Sequence, residues 1–139
     1  MTSASWAAAN QRQRLIAAVL ADVAATGDAD AVHRHPVAET LGDLDTLLLA
    51  VHALWSTAVL ARADDVLERD PPDPADALAA QLRELDTARP GIRLLLDGHA
   101  ERPLLAAAQR RLRSRIRTDL GVDLVELPPA PRRKWLRAG

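Results

Sequence analysis

Apolar residues return at three- and four-residue steps along most of this chain, the spacing of helix faces. Trp6, Ile16, Val19, Leu20 and Val23 define one face of a helix predicted over residues 5–26, with Ser3 or Ser5 as N-cap and Gly27 as its stop. Residues 28–42 lose the pattern, with His35-Pro36 and Gly42 marking a connector of one or two short helical turns. Periodicity resumes over residues 43–69, where Leu44, Leu47, Leu48, Val51, Leu54, Trp55, Val59, Val66 and Leu67 make a broad stripe. At 1.5 Å per residue such a helix spans roughly 40 Å, a central strut or a bent rod. Asp70-Pro-Pro-Asp-Pro74 then breaks the chain. Asp73 and Pro74 read as N-cap and first position of a helix over residues 74–89 that buries Leu78, Leu82 and Leu85. A helical turn or two over 92–96 precedes Asp97-Gly98, and a last helix runs over 103–120 to Gly121. Its inner face is Leu105, Ala108, Leu112, Ile116 and Leu120. Residues 122–127 are expected to add a strand or to pack extended, and Pro128-Pro129-Ala-Pro131 reads as polyproline.

Composition agrees with the pattern. The apolar fraction is 48%, but alanine and leucine supply most of it, with three tryptophans and no Phe or Tyr. So little β-branched and aromatic material excludes a sandwich or barrel and argues against a parallel sheet. The expected fold is all-α: one helical bundle of four to five helices over residues 1–127, then an irregular proline-rich tail over 128–139. With alanine so prominent, the core requires closely approaching helices. No cysteine is present, which removes disulfides, thiolate ligands and a cysteine nucleophile.

Charge adds an asymmetry that the net value of −1 hides. Residues 1–101 carry eight basic and sixteen acidic groups, and residues 102–139 carry ten basic and three acidic ones. Codon bias in a GC-rich genome explains much of this arginine, alanine and proline; a partner or nucleic-acid surface is the functional reading. No run of eighteen apolar residues suggests a membrane span. Arg12 and Arg14 before residues 15–21 loosely imitate a signal peptide, but Asp22 interrupts the apolar run, so a cytoplasmic protein is expected.

Candidate chemistry is sparse. His33, His35, His52 and His99 lack the Glu-x-x-His spacing of a bundle metal site, so neither metal nor cofactor is expected. Asp64-Asp65-Val-Leu-Glu68 imitates the magnesium motif of isoprenoid synthases, a chemistry that needs an aromatic-lined cavity and a longer chain; an Asp65–Arg69 pair on a solvated face is expected instead. The glycines are isolated, which excludes a phosphate loop and a nucleophile elbow. Arg110, Arg111, Arg113, Arg115 and Arg117 crowd one helix, with Arg110, Arg113 and Arg117 on one side, where nucleic-acid phosphates are a candidate ligand. In the tail, Trp135 and Leu136 beside Arg132, Arg133 and Arg137 form a candidate anchor, because tryptophan and arginine dominate interface energies.

Two stretches resemble known families. Arg93-Leu-Leu-Leu-Asp-Gly-His99 resembles the Arg-x(4–6)-His pattern of the HEPN ribonucleases. That resemblance implies Arg93 and His99 as a phosphate-binding and acid/base pair, assembled across a dimer. Trp6-Ala-Ala-Ala-Asn-Gln-Arg12, followed by Leu15, is similar to the opening helix of AAA ATPases found in contractile injection clusters. It covers about fifteen residues without the ATP-binding part, and implies a helical docking module. The leading expectation is a non-enzymatic interaction module, an adaptor or assembly component with a protein partner or a second copy. The alternatives are a HEPN-like ribonuclease and a nucleic-acid-binding helical protein.

Overall fold

A computed structural model describes residues 3–127. Its helices are α1 (Ser3–Thr26), α2 (Val37–Leu41), α3 (Leu44–Arg69), α4 (Pro74–Ala88), α5 (Pro90–Gly98) and α6 (Pro103–Leu120). Two 3-10 turns, Ala29–Arg34 and Leu124–Glu126, complete the order, and no strand occurs among the described residues. The fold is the all-α bundle expected, and α6 has the predicted ends. Residues 122–127 differ: they form a turn, because the Asp123 carboxylate accepts a hydrogen bond from the Val125 N–H at 3.0 Å and curls the chain.

Local chemistry sets the boundaries. Asp43 caps α3 by accepting from the Thr46 N–H at 2.8 Å, and Asp73 caps α4 by accepting from the Asp76 N–H at 3.1 Å. Asp70, left-handed at φ 46°, ends α3 with its N–H on the Val66 carbonyl. Pro90 ends α4 and simultaneously starts α5, which is a nine-residue helix rather than a turn or two.

Helix α3 is the centre. α2, α4, α5 and α6 all pack on it, and it buries Leu47, Leu48, Val51, Trp55, Val59 and Val66. By length and composition alone it is long and apolar enough to cross a membrane, although it holds no run of eighteen apolar residues; four helices pack on it. Polar ties reinforce its ends. Arg102 Nε donates to Asp45 at 2.7 Å, Arg62 pairs with Glu84 at 3.0 Å, and Gln81 donates to Asp65 at 2.9 Å. The expected Asp65–Arg69 pair forms at 3.1 Å.

Helix α1 is held mainly by α5, the 29–34 turn and α2. It buries Leu15, Val19 and Val23, while Trp6, expected on that face, is 65% exposed. Trp6 lies about 140° around the helix from Val19, because thirteen residues at 100° each carry it away from the buried face. Leu54 and Leu67 likewise leave the predicted stripe of α3 and are exposed.

The α1–α5 contact is close because position 91 has no side chain. A Cβ on Gly91 would stand 2.3 Å from the carbonyl oxygen of Leu20, and one on Gly98 2.2 Å from the Ala29 Cβ. Gly91→Ala is therefore expected to cost about 1–3 kcal/mol. Urea denaturation checks this; an unchanged midpoint contradicts the close contact.

Candidate functional site

Two surface features combine depth with chemistry. The first is a cleft of about 470 Å³ between α3, α5, α6 and the 122–127 segment, lined by His52, Trp55, Arg93, Asp97, Gln109, Arg110 and Arg113 among others. Its walls are already committed to one another. The Arg93 guanidinium lies 5.2 Å over the Trp55 ring and pairs with Asp97 one turn on. Arg113 stands 3.7 Å from Asp123, and Arg117 pairs with the same carboxylate. Arg115 pairs with Asp119 at 2.8 Å. The Val125 N–H, together with Arg117 and Arg113, holds the Asp123 carboxyl below its usual range. Of the three arginines expected to face nucleic acid, the structure engages Arg113 and Arg117 internally and leaves Arg110 without an ion pair among the described residues.

Arg93 and His99 are not brought together by any described contact. Arg93 reaches toward Trp55 and Asp97. His99 is buried just beyond the end of α5, its Nε2 3.3 Å from the carbonyl oxygen of Ala29. Its ring meets His33 edge-on, with centroids 6.2 Å apart. His99 thus ties the 29–34 turn to α5. Among the described residues no cluster of three or more His, Asp or Glu side chains suits a metal ion.

His52 carries a signal that the sequence did not reveal. It was expected at the edge of the stripe, but it is 6% exposed, and its Nε2 has no hydrogen-bond partner. It separates the basic cleft from a neighbouring hollow lined by Ser56, Arg111 and Arg115. Burial, reinforced by Arg111 and Arg93, pushes its pKa down.

The second feature is an apolar groove of about 600 Å³ where α1 and α3 stand apart. Gln13, Ile16, Ala17, Leu20, Ala21 and Ala24 of α1 form one wall. Ala50 and Leu54 of α3 face them, and Arg89 through Ile92 close one end. The alanines read as helix filler in the sequence; only the direction taken by α1 shows that they border a groove. The tail candidates Arg132, Arg133, Trp135 and Leu136 lie outside the described residues.

Set against family models, curated proteins and solved structures, the chain matches none.

His52 makes a pH prediction. Its folded pKa lies below the ordinary 6.5, so the unfolded chain takes up the proton first and stability falls as pH drops below about 6.5. His52→Leu removes an unpartnered polar atom and is expected to gain about 1 kcal/mol at pH 7. The variant should also lose less stability between pH 7 and pH 5 than wild type. Parallel acid-side slopes for the two proteins in urea denaturation contradict this.

Proposed function

We propose that this protein is a non-enzymatic α-helical interaction module, a cytoplasmic adaptor or assembly component, and that it makes contact through the outer face of α1. The observation that carries this reading is the pairing of an exposed Trp6 with an apolar groove along one helix. Tryptophan supplies more binding energy per residue than almost any other side chain, and soluble proteins rarely leave such apolar surface open without use. The similarity of residues 6–12 to the opening helix of injection-cluster AAA ATPases supports a docking role for α1.

The arginine-lined cleft supports catalysis less well, because its Arg93 and Arg113 each have an acidic neighbour and His99 meets a backbone carbonyl away from them. A protein partner is favoured over nucleic acid, since α1 and its groove offer apolar surface and few charges.

Immobilised protein should retain a partner from extract of its source cells, and Ala17→Glu, which puts a charge on an exposed position of the groove, should reduce that retention at least tenfold. Arg110→Ala should leave it intact. Equal retention by wild type and Ala17→Glu contradicts the assignment of this face. The wild-type protein is also expected to leave RNA uncleaved; cleavage abolished by Arg93→Ala and by His99→Ala establishes the ribonuclease reading instead.

A further inference from the structure

Resting on that interaction reading, we propose that the partner on this face is a second copy of the chain. The two copies pack antiparallel along α1 about a two-fold axis near Gln13, and each Trp6 seats in the other copy's groove.

At 100° per residue, Gln13, Ala17, Leu20 and Ala24 all lie within about 40° of Trp6 around α1. Trp6 and the groove wall thus share one stripe, roughly opposite the buried Leu15 and Val19, with the buried Val23 about 100° from Trp6. The three charged residues of α1, Arg12, Arg14 and Asp22, fall outside it. A surface bearing both an apolar knob and an apolar recess is complementary to itself once turned over, the requirement of a two-fold interface.

Spacing fixes the register. Leu20 is about 21 Å along the helix from Trp6. An axis crossing at Gln13 sets residue 6 of one copy opposite residue 20 of the other, at the groove. It also brings the two Gln13 side chains together, and two primary amides can each donate to the other's carbonyl. Arg89 at the groove's end then meets the incoming indole, as Arg93 meets Trp55 within one chain.

Charge argues against the chain's own tail as the occupant. The basic run from Arg132 to Arg137 would meet Arg89 at the groove. The last described residue, Leu127, borders a different cleft, beside Trp55 and Leu82.

The area is sufficient for a reversible dimer. Two helix faces about 36 Å long and roughly 10 Å wide, with two tryptophans between them, remove on the order of 1,000 Å² from water. This is near the lower bound of specific interfaces, so dissociation is expected in the micromolar range.

Sedimentation velocity of the purified full chain over a dilution series through the micromolar range tests the proposal. Wild type should pass from monomer to dimer, Trp6→Ala should raise the dissociation constant at least tenfold, and Trp6→Phe should recover part of the loss. Ala17→Glu should also weaken the dimer. Both positions are exposed, and an unchanged thermal midpoint verifies folding. A chain that stays monomeric throughout, or a dimer indifferent to Trp6→Ala and Ala17→Glu, overturns the proposal. If the monomeric chain still retains a partner through an Ala17-sensitive face, the second-copy inference falls and the interaction reading stands. Loss of both results overturns both.

Discussion

The close approach of Gly91 to the carbonyl oxygen of Leu20 determines how α1 sits on the bundle. A helix built largely from alanine has few large side chains with which to reach its neighbours, so it must come near to bury anything. The backbone-to-backbone contact with α5 provides that proximity, and Leu15, Val19 and Val23 fill the space beneath it. The same contact pins α1 to α5 rather than to α3, and the gap beside Ala50 and Leu54 follows from it. Core and groove therefore have one origin.

Around this frame, electrostatics serves structure more than ligand binding. The surplus of arginine in α6 meets acids from its own end of the chain, Asp119 and Asp123, and Asp123 also shapes the turn that covers the bundle. Arg102 closes the start of α6 onto Asp45, and Arg62 fastens α3 to α4. Exposed pairs of this kind contribute little individually. Their consequence here is to leave the basic side with fewer free charges than the sequence advertises, whereas the stripe of α1 that carries Trp6 and Ala17 bears no charge and is exposed among the described residues.

Much of the fold was legible along the chain. Proline and aspartate at the breaks, with leucine at helical spacing between them, marked α3, α4 and α6 nearly to the residue, because those signals act through local backbone chemistry. What escaped depended on tertiary placement. Trp6 shared the three- and four-residue rhythm, yet ten residues at 100° each place it about 80° from Ile16 and farther still from Leu15 and Val19. Residues 122–127 looked extended until the Asp123 carboxylate reached the Val125 N–H. Ala17, Ala21 and Ala24 could not announce a groove, since an alanine reads the same whether a neighbour covers it or not. His52, central to a leucine-rich helix, gave no sign that its Nε2 would be enclosed without a partner.

The central claim is that the outer face of α1 is the contact surface of this protein, with Trp6 as its anchor. Fluorine NMR of protein labelled with 5-fluorotryptophan, its Trp6 resonance assigned from Trp6→Phe, tests it most directly. The account predicts that the Trp6 signal moves from a water-exposed to a buried environment as the protein is concentrated, while the signal of the already buried Trp55 stays in place. A Trp6 resonance that remains water-exposed at every concentration, and in complex with any captured partner, contradicts it.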